Sequence, residues 1–371
     1  MKPFDKAKIV ISDCHLSAGK FYEGKLNPHE DFHFDEDMAD LFNFFSTGDY
    51  GGDKEVELII AGDYFDFLNV PVEQDFDDLV TEEVAVKKVK AIIAGHPIVM
   101  DALRNFASQP NKKITYLIGN HDADLFFPKV REEIVKAWDP QGVCPSDHVE
   151  VVHEQDRLVY EENVEVRHGN QFEIGSELDF DRPFIEGKMG KKYLNMPWGS
   201  IYVLKIVNRM RTERQYLNKV RPAKAFIFFG IILDPIFTIR FIFLSLFYFF
   251  KTRLSGLRNK RSIFRHAFEV IKRESKLFQD LEEEAKEVLD EKENLQIIIF
   301  GHTHYPMNRA YPNGKQYINT GTWTKMINVE WEGIGQQFCK TFALVHIRDG
   351  KAECDLQHWV GEHGPHKSFN N

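Results

Sequence analysis

Cysteine is scarce and scattered in this chain. Cys14, Cys144, Cys339 and Cys354 share no close spacing, which argues against a disulfide framework or a zinc knuckle and fits a reducing compartment. No internal repeat and no low-complexity linker interrupts the 371 residues, and a hydrophobic content of 43% argues against disorder. The opening MKPFDKAKIVISD lacks an apolar signal core of about seven to fifteen residues, so the protein is expected to stay in the cytoplasm. Acidic residues are sparse across one long basic stretch. Between positions 187 and 265, 17 Lys and Arg stand against Glu213 and Asp234, a local balance of +15. The rest of the chain carries 30 basic and 55 acidic residues, −25, inside a total of −10. A basic block in an acidic protein points to an anionic partner: a membrane surface, a nucleic acid or a phosphorylated substrate.

Short apolar or β-branched runs recur at 8–12, 56–61, 114–118, 164–167 and 296–300, each ending in a polar cluster. They read as buried strands with ligand-bearing loops at their ends. Between them, 36–45, 81–93 and 99–108 carry helical spacing, and the alternation predicts an α/β fold. A hairpin is expected at 149–160 and further strands at 316–319 and 341–347, which makes the sheets mixed. The chain is longer than one ordinary domain needs. The expected organisation is a core of residues 1–186 and 294–371 holding an insertion of residues 187–293.

Five loop motifs stand at the ends of predicted strands: Asp13-Cys14-His15, Gly62-Asp63-Tyr64-Phe65-Asp66, Gly119-Asn120-His121-Asp122, His168-Gly169-Asn170 and Gly301-His302-Thr303-His304. Together they offer enough imidazole, carboxylate and amide donors for two divalent ions, at the place where an α/β sheet builds its ligand sites. Asp-x-His alone is weak, since the chain also contains Asp31-Phe32-His33 and the neighbouring pair Asp147-His148. The strings Gly-Asn-His-Asp and Gly-His-Thr-His differ: either arises by chance in roughly one such chain per thousand at average composition. Two ions about 3.5 to 4 Å apart can clamp a phosphoryl group and make hydroxide available at neutral pH. Mixed N/O donors suit Mn²⁺, Fe or Zn²⁺, with Mg²⁺ a further option. Cys14, between two donors, is expected to point away from them into the core.

These motifs, in this order, resemble those of the calcineurin-like metallophosphoesterase superfamily, and the resemblance spans residues 13–304. It implies a four-layer αββα sandwich with a helical insertion. It implies one ion on Asp13, His15, Asp63 and His304 and another on Asp63, Asn120, His168 and His302, with Asp63 bridging. It further implies a catalytic role for His121 beside the phosphoryl group, with Asp122 orienting it, and Asp66 as a hydrogen-bonding partner behind the donors. Residues 318–323, INTGTW, look like the family's closing strand and loop.

The insertion opens with a basic helical pattern at 201–220, continues as AFIFFGIILDPIFTIRFIFLSLFYFF at 225–250, and ends in an acidic helical pattern at 264–291. Twenty-six residues suffice to span a bilayer. Three details oppose a crossing. Asp234-Pro235 is a natural helix stop and start, Arg240 would sit deep in hydrocarbon at roughly 2.5 to 3.5 kcal/mol, and both flanks are basic and so favour the same face. A helical hairpin dipping into one leaflet, peripheral or monotopic on the inner face of the membrane, fits better, against a dry cap over the core as the rival. Nucleic acid is not expected, because the cations accompany aliphatic and Phe runs. The insertion falls between the fourth and fifth motifs, where a cap can select substrate. Its place is similar to that of the helical lid that receives acyl chains in the UDP-2,3-diacylglucosamine pyrophosphatases. That subgroup carries Arg where this chain has His121, and the insertion here is longer and more apolar. The expected activity is hydrolysis of a phosphoester or pyrophosphate bond, on a lipid-linked substrate. The alternatives are a phosphatase for a nucleotide or phosphoprotein and a non-catalytic metal-binding scaffold.

Overall fold

The computed structural model describes residues 4–73, 75–76, 78–139, 142, 148–214, 217, 219–221, 223–254, 281–328, 337–338, 340–361 and 366–368. The principal strands are β1 (Lys6–Ile11), β2 (Glu55–Ala61), β3 (Lys112–Leu117), β4 (Val149–Val152), β5 (Arg157–Tyr160), β6 (Val164–Arg167), β7 (Ile297–Phe300), β8 (Met307–Ala310), β9 (Gln316–Asn319), β10 (Thr341–Arg348), β11 (Lys351–Trp359) and β12 (His366–Ser368). The helices that build the layers are α1 (Asp35–Phe44), α2 (Glu82–Gly95), α3 (Pro97–Ala107), α4 (Pro128–Trp138), α5 (Trp198–Tyr202), α6 (Asn208–Arg211), α7 (Ala223–Leu233), α8 (Pro235–Leu254) and α9 (Glu282–Glu291).

One sheet of seven strands runs β12-β11-β10-β1-β2-β3-β4, parallel from β1 to β4 and antiparallel beyond β1 on the other side. A second sheet of five strands runs β8-β9-β7-β6-β5, with β6, β7 and β9 parallel. The side-chain period of two divides each strand between two cores. Val10 of β1, with Ile59, Ala61 and Leu117, faces Val164, Val166, Ile297, Ile299 and Ile318 of the second sheet. Ala7, Ile9 and Ile11 face the other way, onto α1 to α4. On the outer face of the second sheet, Ala285, Val288 and Leu289 of α9 cover Ile298, Phe300 and Tyr317. Helices, sheet, sheet and helix therefore make the expected αββα sandwich.

Between the sheets one polar network is buried. Lys8 Nζ lies 2.7 Å from Glu57, whose other oxygen accepts from Thr115 and from Tyr160 of the facing sheet. Every member has a partner, which is the condition for burying charge without a large penalty.

The expected hairpin at 149–160 is not one. Its two halves are strands, but β4 pairs with β3 in the first sheet and β5 with β6 in the second. The basic helix expected at 201–220 is also shorter: α5 passes through a π-helical stretch, Val203–Val207, into α6 and ends at Arg211. Of the acidic helix expected at 264–291, the part from 264 to 280 lies outside the described residues and the remainder is α9.

Behind the first sheet, the loop that follows His15 is held by a buried charge cluster. His96 donates from Nδ1 to Asp35 at 2.8 Å and from Nε2 to Glu30 at 3.2 Å, while Glu30 accepts the backbone N–H groups of Ser17, Gly19 and Phe32. Burial disfavours the imidazolium, but the hydrogen bonds to Asp35 and Glu30 outweigh it and push His96 up to about 9. A pKa raised on folding stabilises below the unfolded value of about 6.5 and loses that contribution as pH climbs through about 9, on the order of 3 kcal/mol in all. The thermal midpoint is thus expected to fall between pH 7 and pH 10, and His96→Gln is expected to lower it at pH 7 while flattening that alkaline slope. A variant with the parent's slope would assign the slope to other groups.

Candidate metal centre

All five motifs lie where a strand ends: Asp13 and His15 after β1, Asp63 and Asp66 after β2, Asn120 to Asp122 after β3, His168 after β6, and His302 with His304 after β7. Two sheets thus deliver their C-terminal ends to one place. The backbone there is tight. Asp13, His15, Asp63, His302 and His304 all have positive φ, from 51° to 68°, in the left-handed region that non-glycine residues avoid. Such conformations persist where the surroundings over-determine them, and they concentrate at functional sites. Close approach also explains two glycines: a Cβ on Gly119 would strike the Asp63 carboxylate, and one on Gly301 would strike Ser12 and Asp13.

The side chains form two adjoining groups. In the first, Asp13 Oδ1 lies 3.2 Å from His304 Nε2 and 3.9 Å from His15 Nε2, and the two imidazole nitrogens are 3.0 Å apart. In the second, His168 Nε2 lies 3.2 Å from both Asp63 Oδ2 and Asn120 Oδ1, and His302 completes a cluster with Asp63 and His168. Asp63 Oδ2 is also 4.0 Å from His15 Nε2, so one carboxylate oxygen stands between the groups. The seven residues expected as donors are therefore brought together.

The electrostatics match a cation site. Asp13 is fully buried; its Oδ2 is tied to Ser12 and to the backbone N–H of His302, while Oδ1 has no hydrogen-bond partner. A buried acceptor left in that state is costly unless a cation meets it. Burial raises the Asp13 pKa, but the charge of His304 overrides it, to about 2. Asp63 is likewise held well below the ordinary carboxylate range, with His168 the main opposing charge to burial. The acceptors behind the imidazoles set their tautomers. His15 donates from Nδ1 to Asp66 Oδ2 at 3.0 Å, and His168 from Nδ1 to the Ala61 carbonyl at 2.8 Å, so both present Nε2 to the centre.

His121 lies against the first donor group, forming a further cluster with His15 and Asp66. Its ring meets His15 edge-on with centroids 4.7 Å apart, its backbone N–H donates to Asp63 Oδ1, and its Nδ1 lies 3.0 Å from Asp66 Oδ1. Burial opposes its proton, but the charges of Asp66 and Asp63 push it up to about 9. The expected partner of this ring was Asp122, and the structure gives that place to Asp66. Asp122 is fully buried beneath the turn, where it accepts from the backbone of Gly119 and Tyr64 and from the Tyr116 hydroxyl. It holds the turn that carries Asn120 and His121, not the His121 ring. Burial, then the charge of Asp63, raises it to about 7.

Several solved structures are similar at low identity. A dimetal phosphatase from Danio rerio is 10% identical, over 99% of this chain and 96% of that one, with a TM-score of 0.38. A single mutant of Vps29 from Entamoeba histolytica is 11% identical over 98% and 99%, with a TM-score of 0.30. A predicted phosphoesterase from Streptococcus pneumoniae is 11% identical over 98% and 97%, with a TM-score of 0.27. No family profile and no curated protein matches the sequence. Likeness at this level carries no argument about this chain beyond the strand order and side-chain cluster described above.

Two further contacts were not visible in the motifs. The 318–323 loop closes over Asp13, whose carbonyl accepts from Thr322 Oγ1 at 2.7 Å and from the Trp323 backbone at 3.2 Å. Glu173, five positions after His168, places Oε2 2.7 Å from His302 Nε2. Cys14 is buried in the helix-side core and burial pushes its thiol well up, so it packs and does not ligate.

Proposed function

We propose that this protein hydrolyses a phosphoester or diphosphate bond of a lipid-linked substrate at a membrane surface, with two divalent ions. The observation that carries the reaction class is the convergence of Asp13, His15, Asp63, Asn120, His168, His302 and His304 around the Asp63 carboxylate, with one buried Asp13 oxygen lacking a hydrogen bond. Asp13, His15 and His304 would hold one ion, Asn120, His168 and His302 the other, and Asp63 both. Ions so held supply charge neutralisation for the phosphoryl group and a water of lowered pKa. Manganese is a fitting occupant, and the donor set serves iron or zinc equally. The protein's own part is positional. Asp66 fixes the rings of His15 and His121 together, and His121, with Nδ1 turned to Asp66 Oδ1, is placed to donate to a phosphoryl or leaving oxygen.

The lipid part of the reading rests on α7 and α8. Asp234 breaks the apolar run: α7 ends at Leu233, α8 starts at Pro235, and Gly230 lies against Thr238 where the two helices meet. Among the described residues no helix is long and apolar enough to cross a membrane. Phe237, with Phe241 and Leu244, packs onto Met210, Ile206 and Val207, which seats α8 on the α5–α6 segment. That segment touches the site loops, through Ser200 on the Asn120 carbonyl and Asn208 on the Leu68 carbonyl. The opposite surface is apolar and open: Leu233 and Ile236 are 80% and 84% exposed, alongside Phe228, Ile232, Ile239, Phe243 and Phe247. So many exposed large apolar side chains on two adjoining helices mark an interaction surface.

The basic block contributes less than its count suggests. Lys205, Arg209, Arg211, Arg214, Lys219 and Arg240 are paired with Asp78, Asp75, Asp31, Asp234, Asp31 and Glu213. Unpaired basic side chains near an anionic surface are worth about 1 kcal/mol each, so the apolar face carries the docking. Wild-type protein is expected to float with anionic vesicles, and a variant with residues 224–251 replaced by a short polar linker to stay at the bottom of the gradient with its turnover of an aryl phosphate intact. Wild type that fails to float, and that cleaves soluble nucleotides in preference to lipid phosphates, would overturn the lipid assignment and leave the metal centre standing.

A further inference from the structure

We infer that Glu173 is a positioning residue for the second ion: it fixes the His302 ring so that Nδ1, and not Nε2, is offered to the metal. The inference rests on the two-ion reading. A carboxylate oxygen only accepts, so the 2.7 Å contact places the proton on Nε2 and leaves the lone pair on Nδ1. Glu173 is held for this purpose by its own segment. Its Oε2 also accepts from Ser176 Oγ at 2.7 Å, its carbonyl accepts from the backbone of Ser176 and Glu177, and Asn170 Nδ2 reaches the Ser176 carbonyl. The segment is braced in turn by the Gly199 N–H on the Gly175 carbonyl, at the start of α5.

The pattern is the one already seen at the other donors. His15 has Asp66 and His168 has the Ala61 carbonyl, each on Nδ1, and each ring is thereby left with Nε2 facing the centre. His302 has its acceptor on the other nitrogen, so it must approach with the opposite edge. Acceptors behind metal-bound imidazoles fix tautomer and ring rotation and raise donor basicity, and their loss costs about 10- to 100-fold in metal affinity.

The test is Mn²⁺ titration of the metal-stripped full-length protein, read by calorimetry and by the electron paramagnetic resonance signal of a coupled Mn²⁺ pair. Wild type should bind two ions. Glu173→Ala should bind the first with unchanged affinity and the second about 10- to 100-fold more weakly, with the coupled signal appearing only at correspondingly higher Mn²⁺. Glu173→Gln, whose amide oxygen can still accept from Nε2, should recover much of the loss. Unchanged binding of both ions in Glu173→Ala overturns the inference, as does equal weakening of both. Tighter second-ion binding in that variant also overturns it, because Glu173 would then be competing with the metal for Nε2. A wild type that binds fewer than two ions removes the two-ion reading itself, a result distinct from all of these. Thermal midpoints of the variants, matched to the parent, show that the fold is retained.

Discussion

Asp63→Ala is expected to abolish phosphoester turnover and to leave at most weak binding of either ion. Its Oδ2 is the oxygen shared by the two donor groups, 3.2 Å from His168 Nε2 and 4.0 Å from His15 Nε2, while Oδ1 accepts the backbone N–H of His121. Removing it leaves imidazoles of both groups facing each other with one fewer negative charge to hold two cations. Loss of a single stabilising donor costs roughly 10² to 10³ in kcat, and loss of the whole charge clamp should exceed that. Asp63→Asn separates charge from shape, since the amide oxygen can still accept from His121. It should keep the fold and lose the metal. Asn120→Ala is expected to act on the second ion alone, because its Oδ1 meets only His168 among the donors. Metal analysis and turnover of an aryl phosphate and an aryl phosphodiester check both. Asp63→Ala retaining two ions and parental turnover would mean that the centre is not the reaction site.

His121→Ala should lower kcat by roughly 10² to 10⁴, the range for a positioned general acid, with two ions still bound. The separation follows from geometry: the ring's Nδ1 is taken by Asp66 Oδ1, and Asp66 Oδ2 is taken by His15. Asp66 therefore couples a metal donor to the proton carrier. Asp66→Asn is expected to disturb both functions, where His121→Ala disturbs one. Loss of an ion on His121→Ala would make that ring a ligand and reassign the proton to another group.

The chemistry of the donors was legible in local strings. Gly119-Asn120-His121-Asp122 and Gly301-His302-Thr303-His304 combine donors with glycines that a packed turn demands, and the β-branched runs before them mark where strands end. The break at Asp234-Pro235 was legible for the same reason, because a proline at the first position of a helix is a local property. Pairing is not local. The alternation in 149–160 identifies two strands, yet the period of two is the same whichever sheet receives them. Asp122 is next to His121 in sequence, but its carboxylate turns under the loop, and a residue from another strand end holds the ring. The basic stretch looked less partnered than it is because Asp31, Asp75 and Asp78, which pair with Lys205, Arg209, Arg211 and Lys219, are more than a hundred positions away.

The sequence by itself thus picked out the side chains that meet at the candidate centre, the strand ends that carry them, and the division of the apolar run into two helices, since each depends on residue type and short spacing. Tertiary structure alone decided which nitrogen His15 and His168 turn to the centre, which carboxylate holds His121, where Glu173 reaches, and which of the described cations are paired. Those outcomes depend on side chains from separate loops meeting at hydrogen-bond distance, and that proximity is created by the order of strands in two stacked sheets.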